Sequence, residues 1–186
     1  MKNMTLRTNG YVVFCVHGTS NPTEAEWQAA VDLAKATHAK YGKQRWIVQT
    51  LGGGPKKASQ RRAIVSVLNR ENDALVYVIT GDAVTRGIVT ALSWAGMPMK
   101  SGDPKDSKDL KVYLKLIEYL GIGGLMNVST VTRILKSMLE DVVDDYDETR
   151  GFAALNKLLG RTTSRQTAQQ DGKTTLFSPP GVGPKK

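Results

Sequence analysis

Residues 74–96 read ALVYVITGDAVTRGIVTALSWAG, and this stretch decides the fold class. The run 74–80 is almost entirely apolar and rich in β-branched residues, which is typical of a strand covered on both faces. Gly81 permits a turn, and Asp82 is the expected N-cap of a helix that follows at once. We expect the inward-facing positions of that helix to be Val84, Ile88, Ala91 and Leu92. A strand that leads directly into a covering helix is the repeating unit of α/β proteins.

The same strand–helix unit occurs twice before this stretch. Residues 11–16, YVVFCV, predict a buried strand, and the helix after it is bounded by Pro22 and Gly42. Residues 45–51, RWIVQTL, predict the next strand, which leads through three glycines into a helix over 56–72.

Two shorter features complete the expected sheet. Residues 4–8, MTLRT, indicate an edge strand, and Asn9-Gly10 predicts a two-residue hairpin turn because both residues accept positive φ. Residues 97–99 indicate a short strand further along the chain. This order of elements predicts an α/β fold with a mixed sheet of about four to five strands covered by helices.

The chain divides into three expected parts. Residues 1–122 form the α/β domain, and 123–160 form a C-terminal helical extension that either packs back on the sheet or offers a surface to a partner. Residues 161–186 are rich in Thr, Ser, Gln, Gly and Pro, which predicts a disordered basic tail. The acidic stretch Glu140–Glu148 is expected to be a solvated face.

Composition narrows the class of protein. The formal net charge of +9 favours acidic proteins, nucleic acids or anionic lipids as partners without choosing between them. Aromatic residues make up only 6%, so a base-stacking platform for nucleic acid is not expected. No apolar run is long enough for a transmembrane segment, and the first residues lack the pattern of a secretory signal, so the cytoplasm is the expected location. The single cysteine, Cys15, is expected to pack as a small hydrophobic residue.

The glycine-rich turn at 50–62, TLGGGPKKASQRR, is the candidate binding site. Backbone N–H groups at a helix start favour an anion, and the lysines add positive charge. The spacing lacks the second glycine of a P-loop, so a nucleoside triphosphate site is not expected. The carboxyl ends of neighbouring parallel strands share one edge, which brings the start of the next helix close. The expected partner-binding or anion-binding residues are Gly53, Gly54, Lys56, Lys57, Ser59, Arg62 and Arg86.

The segments GYVVFCVHGT, QRWIVQTLGGG and ALVYVITGDAVTRGIVTAL together resemble bacterial STAS-like (SpoIIAA-like) regulatory domains over residues 3–122. The resemblance implies a small α/β sandwich used for protein–protein recognition and rarely for catalysis. Some members, the anti-sigma-factor antagonists, are switched by phosphorylation of a serine at a helix start. The matching region here is KKASQ, which implies Ser59 as the phosphoacceptor, with lysine and Gln60 where those members have an acid and a glycine.

A second stretch, VVFCVHGTSNP, is similar to the opening of sirohydrochlorin-type chelatases. That resemblance implies metal insertion into a tetrapyrrole, with His17 as a ligand or base. From the residues alone, a structural role for His17 is favoured, because no cluster of His, Asp and Glu has the spacing of a metal site.

We therefore expect a non-enzymatic domain of regulation or signalling that acts by protein–protein interaction, with no cofactor, no metal ligand and no catalytic residue. Phosphorylation of Ser59 is the associated control hypothesis. A chelatase-like enzyme and a basic nucleic-acid-associated protein are the alternatives. The sequence leaves open the identity of the partner and whether the chain forms a homo-oligomer.

Overall fold

The computed structural model describes residues 3–52, 57–104 and 110–142. In chain order the elements are β1 (Met4–Asn9), β2 (Val12–His17), α1 (Glu24–Tyr41), β3 (Gln44–Thr50), α2 (Ala58–Val67), β4 (Ala74–Thr80), α3 (Ala83–Trp94), β5 (Met99–Gly102), α4 (Lys111–Leu120) and α5 (Val128–Glu140). The predicted α/β class with a mixed sheet is confirmed. The expected tail, 161–186, lies outside the described residues, as does most of the acidic stretch Glu140–Glu148.

The five strands form one sheet in the order β1-β2-β3-β4-β5. β1 is antiparallel to β2, and every later neighbour is parallel. The hairpin turn between β1 and β2 is formed by Gly10 and Tyr11, one residue beyond the predicted Asn9-Gly10, because Asn9 still pairs with Val12. Gly10 has φ +62°, so the glycine takes the left-handed conformation that the turn requires.

Helices cover both faces of the sheet. The three crossovers β2-α1-β3, β3-α2-β4 and β4-α3-β5 all advance in the same direction across the sheet. Right-handed crossovers that advance in one direction place their helices on one face, so α1, α2 and α3 form a single layer. After β5 the chain crosses to the opposite face, where α4 and α5 pack.

Alternating strand residues supply two hydrophobic cores. Phe14 and Ile79 face α4 and α5, whereas Cys15 and Val78 face the layer of α1, α2 and α3. This alternation follows from the two-residue period of a strand and explains why the central strands are apolar at nearly every position.

α5 belongs to the same core as the sheet. Its apolar stripe is buried and includes Val131, Leu135 and Met138, each fully enclosed. The stripe packs against β2 and α4. The sequence left open whether the C-terminal extension packs back on the sheet or offers a surface to a partner. Its described helix, α5, packs back on the sheet.

α1 is the longest described helix, and both of its ends are capped. Thr23 and Glu26 form a reciprocal capping box at the start, and Gly42 takes a left-handed conformation after the end. Of the helices in the described part of the chain, none combines the length and the apolar content that crossing a bilayer requires.

α3 differs from the sequence-based expectation. Val84, Ile88 and Ala91 face solvent and Leu92 is only half-buried, whereas Val89 is the buried residue. The prediction of the inward face was therefore wrong. α3 is apolar on most of its circumference, so periodicity does not select one face, and the helix lies over β4 and β5 at the end of the sheet, with only one side covered.

Candidate functional site

The carboxyl ends of the parallel strands form one continuous edge. His17, Thr50 and Thr80 are register partners on β2, β3 and β4, so their side chains lie in one row on the face covered by α1, α2 and α3. The turn that begins at Gly52 and the turn at Gly81 consequently leave the sheet side by side. The structure thus brings the two predicted loop regions to the same edge of the sheet.

Two of these strand ends have the same local structure. The side-chain oxygen of Thr50 accepts a hydrogen bond from the Gly52 N–H at 3.2 Å, and the side-chain oxygen of Thr80 accepts one from the Asp82 N–H at 3.2 Å. Both threonines are buried. A threonine that bonds the backbone two residues on favours a turn over a continued strand. The sequence carries this signal as Thr-x-Gly at residues 50–52 and as Thr-Gly-Asp at residues 80–82.

The start of α2 is basic, exposed and tied to α1. Lys57, Ser59 and Arg62 are all exposed. The Lys57 Nζ lies 3.5 Å from the Glu24 carboxylate, and Gln60 Nε2 donates to the same carboxylate at 3.0 Å. The remaining predicted binding residues of this turn, Gly53, Gly54 and Lys56, lie outside the described residues.

Arg86 connects α3 to two strand ends. Its guanidinium lies 2.7 Å from the Asp103 carboxylate and donates to the Thr80 carbonyl oxygen at 3.0 Å. Asp82 caps the same helix by accepting from the Val84 and Thr85 N–H groups, as predicted. Hydrogen bonds from Thr85 and then from the backbone lower the pKa of Asp82, so the cap is ionised at neutral pH. The Arg86 side chain is therefore committed to bonds within the fold.

His17 is part of the core. Its Nε2 lies 3.2 Å from the Cys15 sulfur, and its ring lies 5.3 Å from the Trp27 ring. Burial lowers the pKa of His17 to about 4, against a smaller opposing effect of Glu26. Burial also raises the pKa of the Cys15 thiol, so both groups are neutral at pH 7.

The side chains of His17 and Cys15 are both buried, so neither is open to a ligand from solvent. Among the residues that the structure describes, no three His, Cys, Asp or Glu side chains are grouped so that they could hold a metal ion.

No family model matches this sequence, and no curated protein and no solved structure matches it either. A functional interpretation therefore depends on the geometry of the chain itself and on the resemblance in its sequence.

The outer face of α3 is the feature that sequence reasoning missed. Three of its large apolar side chains are exposed: Val84 at 70%, Ile88 at 52% and Trp94 at 85% of their full area. Arg86 is the one charged residue of α3, and it points to Asp103. The face is therefore apolar and uncharged. The signal in the sequence was an excess of apolar residues, more than a helix covered on one side can bury.

Proposed function

We propose that this protein is a non-enzymatic domain of regulation or scaffolding that acts by protein–protein interaction, with the outer face of α3 as its binding surface. The exposed apolar side chains of Val84, Ile88 and Trp94 carry this proposal. The largest exposed apolar patch on a protein is often functional, because leaving it in water costs free energy that a partner recovers.

The fold supports the same proposal. A five-stranded mixed sheet with one antiparallel edge pair and helices on both faces agrees with the small α/β sandwich that the STAS-like resemblance implies. The resemblance associates this architecture with protein–protein recognition. Fold alone does not specify function, so the exposed face carries the argument and the resemblance supports it.

The geometry gives less support to the two alternative functions, a chelatase-like enzyme and a nucleic-acid-associated protein. A chelatase would need His17 to contact a tetrapyrrole or its metal, but this imidazole is enclosed beside Trp27. A nucleic-acid-binding role could use the exposed cations Lys57 and Arg62, but no exposed aromatic residue lies between them in the chain. Neither alternative accounts for the uncharged face of α3.

Phosphorylation of Ser59 is the proposed control of the interaction. Ser59 is exposed in the first turn of α2, and Arg62 follows it by three residues, on the same side of the helix. A phosphate at this position is stabilised by the backbone N–H groups of the helix start and by the neighbouring cations. The starts of α2 and α3 lie at the same edge of the sheet, so a phosphate on Ser59 adds negative charge at the edge where α3 begins.

Affinity capture from the native cell tests the proposed function. The bait is the full chain as wild type, as Ile88→Lys on α3, or as Leu114→Lys on α4. Leu114 is a matched control because it is 55% exposed on the opposite face of the sheet. We expect Ile88→Lys to lose the partner that wild type and Leu114→Lys recover. Equal recovery by all three baits contradicts the proposal, and mass spectrometry of the wild-type bait reports whether Ser59 is phosphorylated.

A further inference from the structure

We infer that the outer face of α3 binds a second copy of this chain, so that two α3 helices pack antiparallel around a twofold axis. This inference rests on the proposed function and names one partner for the same surface.

The absence of charge on this face favours a second copy. At the centre of a twofold interface the same few residues of both copies come together, so a charged residue there would lie close to its own counterpart and be repelled by it. The exposed residues of α3 carry no charge, and Arg86 is turned toward Asp103 and away from the face. The chain as a whole carries a net charge of +9, so an acidic partner would be attracted to other surfaces.

The spacing of large and small residues is self-complementary. If two α3 helices run antiparallel and cross at the level of Val89, Trp94 of one copy lies beside Val84 of the other, and Ala91 lies beside Gly87. Gly87 and Ala91 then leave room near the crossing for Ile88 of each copy, which lies beside Thr90 of the other, and this lets the two helices approach closely. Val89 marks only the level along the helix at which the two copies cross, because its own side chain is buried against the sheet. The side chains that meet there are those on the exposed side of α3.

The exposed area is that of a small interface. From their exposed fractions, Val84, Ile88 and Trp94 together leave roughly 400 Å² in contact with water. With the small residues between them, two copies bury about 1,000 Å² in total, which is near the lower limit for a specific interface. We therefore expect a weak, concentration-dependent dimer.

Sedimentation equilibrium of the full chain tests the dimer. Over a range of about 5 to about 500 µM, the wild-type mass should rise from that of one chain toward that of two. Ile88→Lys and Trp94→Gln should stay monomeric with an unchanged circular dichroism spectrum, whereas Leu114→Lys should dimerise as wild type does. A wild type that is monomeric throughout, or α3 variants that dimerise as well as wild type, overturns the inference.

The salt dependence separates an uncharged interface from an ionic one. Raising the salt concentration screens the repulsion between two basic chains and leaves apolar contacts intact. Association that holds or strengthens with added NaCl supports the inference, and association that weakens indicates ion pairs and overturns it.

Disulfide cross-linking tests the antiparallel register. Chains carrying Val84→Cys are mixed with chains carrying Trp94→Cys and then oxidised mildly; Cys15 is buried and does not compete. We expect the mixture to cross-link at least fivefold more than either variant alone. Cross-linking of each variant with itself, at the level of the mixture or above, shows parallel helices and overturns the inference.

These outcomes are independent of the test of the proposed function. If the purified chain stays monomeric, the partner that binds the outer face of α3 is not a second copy of the chain. Partner capture that depends on Ile88 then still supports protein–protein interaction at that face. If all baits capture the same proteins equally, the proposed function is contradicted, even if the purified chain dimerises at high concentration.

Discussion

At the scale of single residues, His17 makes stability depend on pH. Burial lowers its pKa to about 4, whereas a histidine in the unfolded chain titrates near 6.5. Below pH 6.5 the unfolded chain therefore binds a proton that the native chain does not bind, so the free energy of unfolding falls as pH falls toward 4. The contribution of His17 is fully present above about pH 7 and decreases by about 2 kcal/mol by pH 5.

Urea unfolding at pH 7.5, 6 and 5 measures this dependence. His17→Asn should be less stable than wild type at pH 7.5, because Trp27 and Cys15 lose their neighbour, and its stability should change less between pH 7.5 and 5. A wild-type protein that is equally stable at all three values contradicts a buried neutral histidine.

Arg86 is the second residue whose role can be tested. Replacing it with Ala removes the bonds to Asp103 and to the Thr80 carbonyl oxygen, which should lower the free energy of unfolding by about 1–2 kcal/mol. Asp103→Asn is the matched variant, because it removes the charge and keeps the shape. If Arg86→Ala unfolds at the same denaturant concentration as wild type but loses a partner in capture, the predicted partner-binding role is favoured over the structural one.

Local chemistry was predictable at this scale, and long-range pairing was not. The Asp82 cap follows from a short polar residue in front of a helix, and the sequence identified it. The partner of Arg86 is 17 residues further along, after β5, and only the sheet brings the two together. The structural role that the sequence favours for His17 stays a prediction, and its contact with Trp27 depends on how α1 packs, which the sequence does not reveal.

At the scale of elements, the start of α2 offers a test of the phosphorylation hypothesis. α1 has Glu24 and Glu26 in its first turn, but the first turn of α2 has no acidic residue. Ser59→Asp places a negative charge near the positive end of the helix dipole and should raise the free energy of unfolding by about 0.5 kcal/mol. Ser66→Asp, at an exposed position in the last turn, should be neutral or destabilising.

Thermal unfolding of the two variants beside wild type reports the difference. A higher midpoint for Ser59→Asp than for Ser66→Asp supports an anion-accepting start of α2. If the two variants shift the midpoint equally, the effect is one of net charge and does not depend on the helix start.

The helices and strands themselves were predictable because their periods differ. Apolar runs bounded by Gly, Asp and Pro located the buried strands, and helical spacing located the amphipathic stripe of α5. α3 was the exception, since its apolar residues occur all around the helix and the choice of a buried face depends on where the sheet ends. The face that could not be predicted is also the one that carries the proposed function.

At the scale of the whole molecule, local sequence patterns predicted the parallel sheet but not which face of the sheet each helix covers. Alternating strands and helices predicted a mainly parallel sheet, and the structure has one. The placement of α4 and α5 on the opposite face from α1, α2 and α3 depends on long-range contacts, those of α4 with β3 and β4 and those of α5 with β2, more than 100 positions before it. Amphipathic periodicity shows that α5 packs on something, but it does not say on what.

This placement predicts that the α/β domain cannot be cut at residue 122. A chain of residues 1–122 lacks α5 and exposes the sheet face on which Leu135, Met138 and Leu139 are fully buried. Losing the burial of these side chains costs about 1.5–3 kcal/mol each, and the exposed side chains of β2 add to that cost. The sum is comparable to the whole stability of a typical domain, about 5–15 kcal/mol.

We therefore expect residues 1–122 to aggregate or to lack a cooperative unfolding transition, whereas residues 1–142 should unfold cooperatively. Circular dichroism during a thermal scan measures both chains, and a cooperative, soluble 1–122 chain would show instead that the boundary predicted from the sequence is a real domain limit.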